Sequence, residues 1–269
     1  MKISVMKKFS FLDDKLVFKY MDKKHNFSKH IHDNTYMIGI SISGDSTFHI
    51  EGISYEVNEN EICIIPPNIV HSCTPFQSTK DWKFLNFHTS QDFLQKIANT
   101  ICDENTNFSF QKYFIKDEEL SSYLKNIIYA TLNEEVIYEE DTLNFLTMLL
   151  ETYATFDKNI REIKNEKFEL LFKYLENENY CLKHLDFYKM AGIMNMNPYY
   201  FHRSFSKTIG LTPQTFINSL RVSKARKLLE KYDSLAEVAL QSGFYDQAYF
   251  TKQFKKYYGV TPKNYKKIS

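Results

Sequence analysis

YFHRSFSKTIGLTPQTF, Tyr200–Phe216, returns 49 positions later as YFTKQFKKYYGVTPKNY, Tyr249–Tyr265. The copies keep the aromatic pairs Phe201/Phe250 and Phe205/Phe254, the glycines Gly210/Gly259 and the Thr-Pro steps Thr212-Pro213/Thr261-Pro262. Most polar positions between them differ. A unit that keeps its apolar anchors and changes its polar face is one scaffold presenting two surfaces.

The residues upstream of each copy define that scaffold. Asp186 precedes FYKMAGI and Ser234 precedes LAEVALQS, each a helix cap before a short apolar run. A turn follows that needs a residue tolerant of positive φ; Gly243 supplies it in the second copy and Asn195 in the first. Asn197-Pro198 and Asp246 then open second helices, predicted to reach about Lys207 and Tyr257. Short helix, tight turn and second helix make a helix-turn-helix. Ala191 and Ala239, four residues before the turns, let the two helices cross closely.

Helical spacing separates the faces of the second helices. Phe201 and Phe205, like Phe250 and Phe254, are i and i+4 and point inward. Tyr199, His202, Arg203 and Ser206 share the opposite stripe of the first; Gln247, Thr251, Lys252 and Lys255 share that of the second. Neither stripe holds a carboxylate. Arg, Gln and Thr are side chains that read base edges, and Lys commonly meets phosphate. Thr212-Pro213 opens a connecting helix expected to run to Glu230, about 18 residues and so roughly 27 Å. Such a rod sets two readers near one turn of duplex apart, about 34 Å. Arg221, Lys224, Arg226, Lys227 and Lys231 are expected to charge it. Two copies fall short of the three or more that a helical solenoid needs.

Charge divides the chain at the same place. Residues 1–160 hold 15 basic against 23 acidic side chains, net −8, and no arginine; residues 161–269 hold 19 against 10, net +9. The positive half suits phosphate, although solvated surface charge would give the same numbers. No apolar run reaches the length of a membrane span, and MKISVMKKFSFLDDKLVF lacks the small-residue cleavage site of a secretion signal. Cys63, Cys73, Cys102 and Cys181 are scattered without a C-x-x-C pair, which suits a reducing cytoplasm.

The first half reads as strands. YMIGISI (Tyr36–Ile42), TFHI, ISYEV and ICIIPP are short β-rich runs broken by Gly, Asp and Asn turns, and WKFLNFH (Trp82–His88) is another. This meander predicts a sandwich or barrel. Asp117–Leu132 and Glu139–Tyr153 are apolar at helical spacing. In the latter, Leu143, Leu146, Leu150 and Tyr153 form a stripe that serves either core packing or dimerisation. The polar stretch DKNIREIKNEK, Asp157–Lys167, marks the domain boundary.

On LRVSKARKLL (Leu220–Leu229), SLAEVALQSGFYDQAYFTKQFKKYYGVTPKNY (Ser234–Tyr265) and its degenerate first copy, the last hundred residues closely resemble the AraC-type (AraC/XylS) transcription regulators. The resemblance implies two helix-turn-helix subdomains joined by one helix and bound to promoter DNA. It places base contacts on Tyr199, His202 and Arg203, and on Gln247, Ala248, Thr251 and Lys252. HIHD (His30–Asp33) and NENEICIIPPNIVHS, with Asn60 and Asn68 where Gly is common, resemble the two motifs of the cupin barrel, the usual N-terminal domain of these regulators.

His30, His32 and His71 have the residue types of a three-His metal site. Metal cupins usually add a Glu a few residues after the H-x-H, and here Tyr36 and Met37 stand there. The reading is therefore no metal, no cofactor and no enzyme, with His30, His32, Tyr36 and His71 lining a pocket for a small-molecule effector. A cupin enzyme fused to a DNA-binding domain and an effector-independent regulator are the alternatives. The expected architecture is α+β: a cupin-like barrel over 1–95, a helical dimerisation or packing element over 96–160, and an all-α tandem helix-turn-helix domain over 161–269. The resemblance adds activation through RNA polymerase and a homodimer acting in the cytoplasm.

Overall fold

The computed structural model describes residues 4–11, 14–21, 26–32, 34–76, 82–102, 106–134, 139–157, 166–176 and 182–267. Cys181 lies outside them. Among the described residues, eleven strands and three helices precede a short twelfth strand. They are β1 (Ser4–Phe11), β2 (Asp14–Met21), β3 (Phe27–His30), β4 (Thr35–Ser43), β5 (Ser46–Ile50), β6 (Ile53–Val57), β7 (Glu61–Ile65), β8 (His71–Pro75), β9 (Lys83–Ser90), α1 (Gln91–Ile101), β10 (Asn107–Phe110), β11 (Phe114–Lys116), α2 (Glu118–Glu134), α3 (Glu139–Tyr153) and β12 (Ala154–Asp157). Helices follow: α4 (Glu169–Glu176), α5 (Phe187–Ile193), α6 (Pro198–Ile209), α7 (Pro213–Leu228), α8 (Leu235–Gln241), α9 (Gln247–Tyr258) and α10 (Pro262–Lys266).

A six-stranded sheet, β1-β2-β9-β4-β7-β11, faces a four-stranded sheet, β3-β8-β5-β6. Its central strands β4, β7 and β9 are buried on both faces, which explains why they read as nearly unbroken apolar runs. Successive side chains alternate between two cores. Met37, Cys63, Ile65 and Phe84 meet Phe48, Ile50 and Trp82 between the sheets. Ile38, Ile40, Ile62, Ile64, Leu85 and Phe87 meet α1, α2 and α3 on the other side. The central strands touch at Gly39, where a Cβ would lie 2.7 Å from Phe84 Cε1 and 2.8 Å from both Asn86 Cβ and the Leu85 carbonyl oxygen. Asn60 and Asn68, which stand where cupins favour Gly, both adopt positive φ (68° and 62°).

The helical stretch after the barrel packs on the outer face of the large sheet. Its β11 pairs with β7 of the large sheet. The proposed dimer stripe is interior to this unit: Leu146 and Leu150 are fully buried, Leu143 and Tyr153 pack against the same core, and the Tyr153 hydroxyl donates to Asp117 Oδ2 at 2.8 Å. α3 is apolar on more than one side because it packs among neighbours, so Leu146 and Leu150 serve the core, with Leu143 and Tyr153 partly buried beside them. Tyr36 is also a correction: it stacks on Phe108, ring centroids 5.8 Å apart, in the helix-side core and not among the histidines.

In the C-terminal half the cap signals act as the sequence suggests. Asp186, Asn197, Thr212, Ser234, Asp246 and Thr261 each accept a backbone N–H in the first turn of the helix they precede. Asn195 (φ 50°) and Gly243 (φ 94°) make the two tight turns, and Gly210 and Gly259 end α6 and α9 in the left-handed conformation. Each unit has its own core, around Phe201 and Phe205 in the first and Phe250 and Phe254 in the second. α7 has 16 residues and contributes to both, giving a rod of about 24 Å.

Candidate nucleic-acid interface and effector site

Inward anchoring by the phenylalanines leaves a definite outer face. On α6, Tyr199 is 85% exposed and His202 and Arg203 are exposed beside it. On α9, Gln247, Ala248, Lys252 and Lys255 are exposed and Thr251 is half-buried. Ser206 departs from the expected stripe, because its hydroxyl is buried against the protein. Helical spacing put it one turn beyond Arg203, but α6 is covered there. Tyr188, in the first turn of α5, and Tyr245 (82%), just ahead of the cap Asp246, add exposed phenols to the two helix-turn-helix units; neither lies on the stripes of α6 and α9 from which the reading faces were taken.

The rod is less charged than expected. Arg221 is buried and donates from Nη2 to the carbonyls of Leu182 and Leu185, both at 2.9 Å. It ties the segment before α5 to α7. Arg226 turns toward the barrel. Lys227 and Lys231 are exposed and Lys224 half-exposed. Asn218 Nδ2 donates to the Tyr249 hydroxyl at 2.9 Å, so α7 also fixes the second unit.

The barrel mouth gathers the histidines. His30 of β3 and His71 of β8 are direct cross-strand partners. Each Nδ1 donates to a carbonyl two residues back, His30 to Ser28 at 2.7 Å and His71 to Ile69 at 2.9 Å. A carbonyl only accepts, so both rings carry the proton on Nδ1. His32 stands 4.8 Å from His30 and 5.0 Å from His71 by ring centroids, and His88 of β9 is 4.8 Å from His32. All four are buried. Burial pulls His71 down to about 4, outweighing the raising effect of its Ile69 bond, so it is neutral at pH 7.

The helix-turn-helix half covers this mouth. Tyr257 of α9 lies edge-on to His30, centroids 5.7 Å apart. Its hydroxyl donates to the Thr215 carbonyl and accepts from Ser219, each at 3.1 Å. Ile31 and Val70, on either side of the histidines, are part of the apolar core around α6 and α7. The cavity here is about 40 Å³, partly open, and lined by Phe27, Met37, Phe48, Trp82 and Phe84 together with His30, His32, His71 and Tyr257. No lysine or arginine lines it, so the cavity offers no fixed cation for an anionic effector.

Residues 17–146 match the family model described as an AraC-like ligand binding domain, and residues 190–268 match a helix-turn-helix domain model. The chain belongs to the AraC-type transcription regulators. This regulator is 27% identical over 237 residues to the HTH-type transcriptional regulator YbfI of Bacillus subtilis, covering 86% of this chain and 84% of that one. It is 21% identical to the arabinose operon regulatory protein of Salmonella typhimurium, covering 86% and 83%. In structure it resembles ToxT of Vibrio cholerae O395 (TM-score 0.56, 17% identity, 100% of this chain and 98% of that one). The AraC-type regulator is thus a two-domain DNA-binding protein, with a β-rich cupin-like domain ahead of a helical one. Among its described residues no helix is long and apolar enough to cross a membrane.

Proposed function

We propose that this regulator binds a bipartite promoter site through Tyr199, His202 and Arg203 on α6 and Gln247, Ala248, Thr251, Lys252 and Lys255 on α9, and that an effector at the barrel mouth alters this binding. The observation that carries the reading is the pair of exposed, carboxylate-free helix faces held on one rod by buried phenylalanines. The faces differ in side chains, so the half-sites differ in sequence. Activation through RNA polymerase, homodimeric assembly and a cytoplasmic setting extend the proposal by family membership.

Effector control follows from where the cavity lies. A drug-sized ligand needs roughly 300 Å³ or more, far above the space present while Tyr257 covers the mouth. An organic effector therefore enters only if α9 moves, and its differential affinity for the two arrangements shifts the DNA-binding population. ToxT, which shares the fold, has been crystallised with an unsaturated fatty acid. In vitro selection from random duplexes tests the DNA proposal: purified protein should enrich two unlike half-sites about one helical turn apart. Enrichment of no motif would refute it.

A further inference from the structure

We propose that His30, His32 and His71 hold one divalent transition-metal ion at the junction of the two domains, and that this ion is an effector of the regulator. Each residue offers a ring nitrogen, and the three nitrogens lie within 4.8 Å of one another. All three rings are buried. The carboxylate that metal cupins add after the H-x-H is absent here, where Tyr36 and Met37 stand. The fold shows that Tyr36 belongs to another core, so the site is a three-nitrogen one.

The supporting geometry is that of ligands already oriented. His30 and His71 face each other across β3 and β8 and make the same Nδ1–H bond to a backbone carbonyl. That bond fixes the tautomer with the Nε2 lone pair as the ligating position, which is how protein carbonyls usually hold metal-bound histidines. Two rings pinned alike from opposite strands, with a third on the residue pair following β3, make a preset face for one ion. Three nitrogens at tetrahedral angles and bonds of about 2.0–2.1 Å are roughly 3.3 Å apart, so metal entry draws the rings together by up to about 1.5 Å.

Donor chemistry and space select the ligand class. Imidazole donors suit Zn²⁺, Co²⁺, Ni²⁺, Cu²⁺ or Fe²⁺ and disfavour Mg²⁺ and Ca²⁺, which take oxygen. The cavity of about 40 Å³ accommodates an ion with one or two waters. A three-His set leaves a fourth position open to water. Tyr257 covers His30 from the DNA-binding half, so drawing the rings inward changes the surface on which α9 rests. The metal site stands on the barrel geometry alone; its effect on transcription rests on the DNA-binding reading above.

The test uses the full chain stripped with a chelator and titrated with Co²⁺, whose visible d–d absorption reports nitrogen coordination. We expect one Co²⁺ per chain, displaced by Zn²⁺ and not by Mg²⁺. The signal should vanish in His71→Ala and His30→Ala and persist in His49→Ala, whose ring lies outside the mouth bonded to Ser54. X-ray absorption of the Zn²⁺-loaded wild type gives an independent reading that needs no variant: three nitrogens at about 2.0–2.1 Å are expected. Absence of binding by the wild type, a spectrum unchanged in His71→Ala, or a shell without imidazole would overturn the site. A change of at least fivefold in DNA affinity between chelated and Zn²⁺-loaded protein supports the effector role. Equal affinity in the two states overturns that role while leaving the DNA reading intact, whereas failure to bind DNA in either state defeats the DNA reading and leaves the metal result standing.

Discussion

Tyr257 and His30 come from opposite ends of the chain and meet edge to face at an interplanar angle of 89°. Tyr257 is only 5% exposed, and its hydroxyl is anchored on α7 through Ser219 and Thr215. Burial pushes the phenol up to about 12, so it is a neutral hydrogen-bond donor throughout the working range. One ring thus belongs to the core of the second helix-turn-helix unit and to the wall of the barrel-mouth cavity.

Removing that ring should loosen the domain junction. Tyr257→Ala is expected to destabilise the chain by about 3 kcal/mol, the cost of truncating a buried aromatic. Amide hydrogen exchange at 30–32 and 69–71 should rise. Tyr257→Phe, which keeps the ring and loses the hydroxyl bonds, should cost about 1 kcal/mol. Unchanged exchange in Tyr257→Ala would show that the junction is open in solution.

Gly39 is required by the close approach of β4 and β9. Gly39→Ala places a methyl group against the Leu85 carbonyl and Phe84; the carbonyl is backbone and yields little. Overpacking of this kind costs about 1–3 kcal/mol. Urea denaturation of the two proteins should show a lower midpoint for the variant with the slope unchanged; equal midpoints would contradict the packing.

His71 gives stability a pH dependence. Its folded value, about 4, lies below the usual histidine value of 6.5, so between those limits the unfolded chain binds the proton and the folded one does not. Stability is therefore full above about pH 6.5, falls as pH falls, and has lost about 3 kcal/mol by pH 4. In chelator, wild-type urea midpoints at pH 7.5, 6 and 5 should decline more steeply than those of His71→Asn. Parallel declines would mean that His71 protonates as readily folded as unfolded.

The tandem helix-turn-helix was readable because its signals are local. Caps, a Pro at the first helical position, positive-φ Asn and Gly, and Phe at i and i+4 all act within a few residues. Strands β4 to β7 and β9 were readable for a similar reason, as short β-rich runs between turn residues, whereas β1, β2, β3 and β8 were missed. Tyr36 and Arg221 were misplaced because their environments depend on distant elements, β10 over Tyr36 and the Leu182 and Leu185 carbonyls around Arg221; Ser206 was misplaced because helical spacing does not report that its hydroxyl is buried. The α3 stripe was ambiguous for the same reason, since periodicity reports an apolar face without naming what covers it. Nothing in the text of α9 marks Tyr257 as a lid, because its partner lies more than two hundred residues earlier.

The central claim is that α6 and α9 read different parts of one DNA site. Its most direct measurement is base-resolved binding of wild type, Arg203→Ala and Lys252→Ala to the selected duplex and its single-base variants. Each substitution should cost about 1–3 kcal/mol, roughly 5- to 150-fold in affinity. Arg203→Ala should relax sequence preference in one half-site and Lys252→Ala in the other. Loss of preference in the same half-site for both, or weakening that is uniform across all bases for both, would contradict the two-reader account.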